Sequence, residues 1–444
     1  MRFSLLIALA IVLATAGCTV SVATPSSSPS EQPDGGIEGG FPSSGDAAAT
    51  DALSGVEASG SLDARADAPD AQEAGPFVPA THSPWPQVPS NQGVFLKPMK
   101  LVTIVSSGDA LATQLFAFGD ALIASHWWTS VTTEYGLGAP SGGVHVTGAA
   151  ITQNPDQTAM IGYIKSAITG NTAAAPDGNT LYMLYLPQSI DAIDPMNGTN
   201  TMCKFFGGFH DIYDMGGNAF AVGQRCPLQG TGLTEIQDLT ITASHEILEA
   251  ATDPQPGSGW ALGAGNLQQP WTQPPTLIAP GGELGDLCLG TQWAEGGYTY
   301  QRGWSNAAAA AGGDPCVPAY PSARYYNASA PQPWYMLATG NSVTIPLTGF
   351  ASGPTGDWAL ETLPLSSSST DFSGSVTSAT HYVGQGGMTV PTTNNGRMAT
   401  LTVSAPGAAS GSWTVFGIAS VPLPATGMVS GDAYHLWPVG VYVP

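Results

Sequence analysis

Residues 234–254 read Thr-Glu-Ile-Gln-Asp-Leu-Thr-Ile-Thr-Ala-Ser-His-Glu-Ile-Leu-Glu-Ala-Ala-Thr-Asp-Pro, a helix bracketed at both ends by its own sequence. Thr234 with Gln237 forms a capping box, and Asp253-Pro254 supplies the stop, so the spacing predicts a helix of about five turns. Ile236, Leu239, Ala243, Ile247, Ala250 and Ala251 can be buried around it. Against that apolar background Asp238, Thr242, His245, Glu249 and Thr252 recur at steps of four and three, which puts them on one stripe. A polar stripe on a mostly apolar helix needs partners, because buried polar groups cost free energy when unpaired.

A bound metal would supply such a partner. His245 and Glu249, at i and i+4, can aim a ring nitrogen and a carboxylate at one point, while Glu246 is rotated by one residue and placed to act as a general base toward water. This is the geometry of the zincin His-Glu-x-x-His helix with its second histidine replaced by glutamate. Further ligands are expected from Gly282-Glu283-Leu284-Gly285-Asp286-Leu287-Cys288, with Asp286 and Glu283 as alternatives, and His210 is another candidate.

The chain opens with Met1-Arg2, an apolar run from Leu5 to Ala14 and Thr15-Ala16-Gly17-Cys18, the layout of a secretory leader. A cysteine directly after Ala-Gly resembles the lipobox of bacterial lipoproteins, so residues 1–18 are read as a lipoprotein signal sequence and Cys18 as the lipidated residue. No other apolar stretch reaches transmembrane length, which leaves the lipid as the anchor in a bacterial membrane. Removing Cys18 leaves Cys203, Cys226, Cys288 and Cys316, an even number in a chain bound for an oxidising compartment. Three pairings are possible, and the local ones, Cys203–Cys226 and Cys288–Cys316, are favoured. From residue 19 to 83 the composition is Ser, Pro, Ala and Gly with scattered acids, which cannot bury enough apolar surface to offset chain entropy and reads as a disordered tether. Lysine and arginine total 10 and the formal net charge is -22, so there is no basic patch for nucleic acid.

Hydrophobic order begins near Pro84, and the pattern changes near residue 322. Upstream, in 84–321, strand and helix signals alternate. Leu101 to Val105 and Leu181 to Leu186 read as strands; Leu111, Leu115, Phe118 and Leu122 share one helical face, and Ile161, Ile164 and Ile168 mark a second helix. Downstream, in 322–444, the helical period is lost. Val343-Thr344-Ile345, Ala399 to Val403, Trp413-Thr414-Val415 and Val439 to Val443 alternate like half-buried strands between Gly, Pro, Asn and Ser clusters. The expected fold is α+β: a zincin-like α/β domain followed by a C-terminal β-sandwich of immunoglobulin-like type.

Several segments together resemble the EXORDIUM or phosphate-induced protein family of plants and its bacterial relatives. They are Ser125-His-Trp-Trp-Thr-Ser-Val-Thr-Thr-Glu-Tyr135, Leu181-Tyr-Met-Leu-Tyr-Leu-Pro187, Cys203 followed by Gly208-Phe209-His210, Ala243 to Pro254, and Glu283-Leu-Gly-Asp-Leu-Cys288. The resemblance covers about residues 95 to 320, and the helix with the later Glu-x-x-Asp-Leu-Cys segment is its most specific part. It implies an extracellular protein with a zincin-like His-Glu-x-x-Glu helix, and this chain has all three motif residues, His245, Glu246 and Glu249. The lipid anchor, long tether and added β-domain depart from the plant pattern, so a plant wall role does not transfer.

Two classes of function follow. The first is an exported, membrane-tethered metal-dependent hydrolase, peptidase-like, with Zn2+ on His245, Glu249 and Asp286 or Glu283 and with Glu246 as general base. The second is a non-catalytic cell-surface protein in which the metal is structural and the β-domain binds an extracellular protein or glycan. The chain has no Gly-x-Ser-x-Gly elbow, no phosphate-binding Gly-x-x-x-x-Gly-Lys loop and no dinucleotide fingerprint.

Overall fold

β1 (Lys100–Ser106) carries the sequence KLVTIVS and is buried over all but its first residue, because it runs between two parallel neighbours, β2 (Ser141–Gly148) and β3 (Thr180–Leu186). This computed structural model describes residues 76–444 apart from 171–172, 174, 194–201, 205–206, 213–217, 227–232, 263–269, 273–281, 338–340, 384–388 and 424–433. The expected signal sequence, Cys18 and stretch 19–75 of the expected tether lie outside the described residues.

β5 (Ala219–Gln224) extends the sheet parallel to β3, and β4 (Gly208–Ile212) closes it as an antiparallel edge, giving the order β2-β1-β3-β5-β4. Successive side chains of a strand point to opposite faces, and the two faces have separate cores. Leu101, Val105, Leu181, Met183, Tyr185, Ala219 and Ala221 meet α1 (Ala112–Ile123), α2 (His126–Thr132) and α4 (Glu235–Thr252). Val102, Ile104, Tyr182, Leu184, Phe220 and Val222 meet α3 (Gln157–Thr169) on the other side. The helix marked by Ile161, Ile164 and Ile168 is α3; its buried face is Met160, Ile164 and Ala167, and Ile161 and Ile168 are partly buried. The α1 face matches its period, with Leu115, Phe118 and Leu122 buried and Leu111 at the N-cap.

The chain then builds a collar around α4. β6 (Gln292–Glu295) and β7 (Tyr298–Gln301) form a hairpin whose two-residue turn, Gly296-Gly297, has both φ angles positive, as such tight turns require. β8 (Gly303–Trp304) pairs with β9 (Cys316–Val317) across α5 (Asn306–Ala310). The fully buried Arg302 ties this collar together by donating to the carbonyls of Pro318 and Cys316 and pairing with Asp314. Both expected disulfides are present, Cys203–Cys226 and Cys288–Cys316.

From β10 (Tyr326–Ser329) onward the structure is two packed sheets. One has the order β10, β12 (Ser342–Ala351), β17 (Met398–Ser404), β14 (Ser373–Ser378), all antiparallel. The other runs β11 (Trp334–Met336), β19 (His435–Tyr442), β18 (Trp413–Val421), β13 (Trp358–Ser367), β16 (Thr389–Thr393), β15 (Thr380–Val383), with only the β11–β19 pair parallel. Ile345, Leu347, Leu401 and Val403 from the first sheet and Leu360, Ile418, Val439 and Val441 from the second fill one core. Phe77–Pro444 is a single compact unit, and its largest hydrophobic cluster runs without a break from the α4 face of the five-stranded sheet into these two sheets. Trp85 sits at the junction, its ring 5.9 Å from Trp304 on the collar side and 4.8 Å from Trp437 on the sheet side.

Residues 77–83, expected as the last part of a disordered tether, are packed instead. Phe77 and Ala80 pack on the main cluster, His82 stacks on Phe350 with ring centroids 4.1 Å apart, and the Ser83 hydroxyl donates to Ala330 O at 2.8 Å. Two aromatic rings in an otherwise Ser/Pro/Ala segment bury enough surface to fix it.

Candidate metal centre

α4 begins as its sequence requires. Thr234 Oγ1 accepts from the Gln237 N–H, Gln237 Oε1 accepts from the Thr234 N–H, and Asp253 ends the helix. The helix lies against β5, β4 and β7, so its buried face includes Leu239, Ala243 and Ile247 together with Glu246 and Glu249. The Asp253 carboxylate accepts the N–H groups of Gly257, Ser258 and Gly259, which folds the chain back after the helix.

Three segments converge on the middle of this helix. β4 delivers His210, α4 delivers His245, Glu246 and Glu249, and the turn at 283–286 delivers Glu283 and Asp286. The turn is held in place by Gln301, whose Nε2 donates to Gly285 O at 2.7 Å, and by the Trp304 N–H, which donates to Leu284 O at 2.9 Å. His245 Nε2 lies 3.1 Å from Glu249 Oε2, 3.9 Å from Asp286 Oδ1 and 4.0 Å from Glu246 Oε1. His210 Nδ1 lies 3.4 Å from Glu246 Oε2 and 3.7 Å from Glu249 Oε2, while its Nε2 is 3.1 Å from the Asp253 carbonyl and 3.7 Å from Glu283 Oε1. A carbonyl oxygen only accepts, so His210 Nε2 carries a proton and Nδ1 is the nitrogen turned toward the carboxylates.

The sequence left Asp286 and Glu283 as alternatives, with His210 beyond them; the structure brings all three to the same place. His245, Glu249 and Asp286 form one group able to hold a metal ion, and His210, Glu249 and Glu283 form another, the ligand atoms of each lying within 4.8 Å of one another. The remaining stripe residues do not join. The Thr252 hydroxyl donates to Leu248 O within its own helix, and Asp238 lies in the first turn of α4. Thr242 instead faces Gly207, where an added Cβ would come within 3.0 Å of its Oγ1.

Two glycines permit the crowding. A Cβ on Gly285 would lie 2.7 Å from both Glu249 Oε1 and His245 Nδ1, and one on Gly208 would lie 2.7 Å from Glu246 Cγ. These glycines, and the Asp253 carbonyl that orients His210, carry no signal in a single sequence beyond their nearness to acidic and imidazole residues. The Asp253-Pro254 pair reads only as a helix stop.

The electrostatics are those of buried carboxylates crowded around two imidazoles. Burial lowers the His245 pKa, but Glu249, Glu246 and Asp286 outweigh it and raise the imidazole to about 10. Burial likewise opposes charge on His210, and the hydrogen bond to Glu246 with the Glu249 charge lifts it to about 8. Glu249 is desolvated, yet His245 and His210 hold it below the ordinary carboxylate range. Burial, followed by the charges of Glu249 and Asp286, pushes Glu283 well above that range, and burial with Glu249 lifts Asp286 to about 7. Carboxylates packed this tightly suppress one another's ionisation unless a cation joins them.

Two observations fit a metal here: Glu283 Oε1 is buried without a hydrogen-bond partner, and the donor set combines imidazole nitrogens with carboxylate oxygens, which suits zinc and other borderline divalent ions. The side chains of His245 and Asp286 are 14% and 11% exposed, against 3% for Glu249, so the His245 side of the centre is the less buried one.

No protein-family model matches the chain, and no curated protein matches it in sequence. Among solved structures it is similar to domain 1 of VCBP3 from Branchiostoma floridae, at 11% identity and a TM-score of 0.18, covering 27% of this chain and 96% of that one. It is also similar to a family 123 glycoside hydrolase from Clostridium perfringens, at 9% identity and a TM-score of 0.17, covering 28% of this chain and 27% of that one. The match thus spans about a quarter of that hydrolase, and at such TM-scores neither likeness bears on fold or activity.

Proposed function

We propose that this chain is an exported lipoprotein with a metal-dependent hydrolase activity, peptidase-like, built on a zincin-like His-Glu-x-x-Glu helix related to that of the EXORDIUM family. In this reading Zn2+ is held by His245, Glu249 and Asp286, and the C-terminal sheets form an immunoglobulin-like domain. The observation that carries it is the meeting of His245, Glu249 and Asp286 from a helix and a remote turn within one ligand-sized space, beside a further carboxylate, Glu246. A zinc ion held there supplies Lewis-acid polarisation of a substrate carbonyl. Glu246 takes the proton of the attacking water and returns it to the leaving amine. His210, fixed through Nε2 by the Asp253 carbonyl, turns Nδ1 toward the Glu246 carboxylate, 3.4 Å away. β4 ends its sheet, and among the described residues no strand pairs with its outer side, so an extended peptide can add there next to His210. Two disulfides fit an oxidising compartment, and no described helix is long and apolar enough to cross a membrane.

A structural metal in a surface protein is the second reading, and the near-complete burial of Glu246, whose side chain is 7% exposed, favours it. Glu246→Gln separates the two. The hydrolase reading expects peptide turnover to fall by roughly a hundredfold or more with metal content unchanged. Turnover equal in variant and parent removes Glu246 as the base.

A further inference from the structure

We infer that His210, Glu249 and Glu283 hold a second divalent cation beside the one assigned to His245, Glu249 and Asp286, which makes Glu249 the shared carboxylate of a two-metal centre. The inference rests on the proposed first site and extends it. Six side chains crowd this interior; five of them form two ligand groups that share only Glu249, and Glu246 belongs to neither. The second group is the more buried: the side chains of His210, Glu249 and Glu283 are 4%, 3% and 2% exposed.

Glu283 Oε1 lies 3.7 Å from His210 Nε2 and has no hydrogen-bond partner. A buried carboxylate oxygen without a donor costs free energy that a cation would remove. Asp253, close by, lacks this need, since its carboxylate is satisfied by the backbone of residues 257–259. Its carbonyl holds the His210 Nε2 proton, leaving Nδ1 as the ligand atom, the arrangement by which a second partner fixes a metal-binding histidine.

Charge balance points the same way. Glu246, Glu249, Glu283, Asp286 and the neighbouring Asp253 bring five negative charges when ionised, and ligating imidazoles are neutral. One divalent cation would leave three of those charges uncompensated, whereas two leave one. Paired cations joined by a carboxylate are a recurrent arrangement for hydrolysis, with the ions about 4 Å apart.

The test is a metal count on the full-length chain, stripped with chelator, dialysed against Zn2+ and measured by elemental mass spectrometry, with circular dichroism to check folding. The wild-type chain should hold two equivalents, and His210→Asn and Glu283→Gln one each. Loading with Mn2+ should give an exchange-coupled paramagnetic resonance spectrum that is lost in both variants, a readout that the wild-type chain provides even if a variant fails to fold. One equivalent and an uncoupled spectrum in the wild type overturn the second cation while leaving the first. No bound metal overturns both, and two equivalents retained in folded His210→Asn and Glu283→Gln overturn the ligand assignment.

Discussion

His245 Nε2 stands 3.1 Å from Glu249 Oε2 one helical turn away, while the other oxygen of that carboxylate accepts the Asp286 N–H at 3.0 Å. Glu249 therefore links the helix to the 283–286 turn through its two oxygens, and its position is fixed from both sides. A carboxylate so held is a preorganised ligand, because little ordering remains to be done when a cation arrives.

In the metal-free chain the protons on His245 and His210 offset the carboxylates. Both imidazoles have folded-state pKa values raised above the ordinary 6.5, to about 10 and about 8. Their contribution to stability is complete below that ordinary value and is lost as pH rises through the raised ones. Asp286, lifted to about 7, acts with the same sign, since the folded chain holds a proton that the unfolded chain releases. Glu249 acts in the opposite sense, but only below the ordinary carboxylate range. The thermal midpoint of chelator-treated protein should fall as pH rises from about 5.5 to 8, while the increase produced by Zn2+ grows because protons no longer compete for the ligands. Thermal scans with and without Zn2+ check this; a zinc-induced shift that shrinks with rising pH contradicts it.

Gly285→Ala should weaken the metal site without unfolding the protein. Residue 285 has an ordinary helical backbone conformation, so the substitution adds no backbone strain, but its methyl would press on Glu249 Oε1 and His245 Nδ1. Displacement of two ligands should lower Zn2+ affinity by roughly tenfold or more, measured by calorimetric titration. Unchanged affinity in a folded variant contradicts the crowding described at this glycine.

Trp85→Ala should cost about 3–5 kcal/mol in urea unfolding, because it removes a nearly fully buried ring that touches Trp271, Trp304, Tyr325, Phe350 and Trp437 together. The parent protein should unfold in one calorimetric transition, since its main hydrophobic cluster is continuous from the five-stranded sheet into the C-terminal sheets. Two separated transitions would contradict a shared core.

Local chemistry in the sequence reaches a good part of this site. The capping box, the helix stop, the His245–Glu249 spacing and the two short-range disulfides all depend on residues near one another along the chain, and each is found where its pattern places it. β1 and β3 are readable because strands buried on both faces become continuous apolar runs. What the pattern does not contain is the strand order. His210 meets Glu246 because β4 folds back as the antiparallel edge beside β5, a tertiary arrangement with no local periodic signature. The same holds for Glu283, brought to His210 by a turn fastened from Gln301 and Trp304, so no local pattern shows that both Glu283 and Asp286 arrive. The packing of residues 77–83 has no compositional signature: Phe77 and His82 are isolated rings in a polar stretch, and only tertiary contacts, such as the stacking of His82 on Phe350, make them count.

The central claim is a cation between His245 and Glu249. Crystals of Zn2+-loaded protein, measured at the zinc absorption edge, test it directly. The account predicts an anomalous peak within about 2.2 Å of both His245 Nε2 and a Glu249 carboxylate oxygen, with Asp286 in the same shell. An ordered site in which His245 and Glu249 keep their direct 3.1 Å contact and no peak lies between them would contradict it.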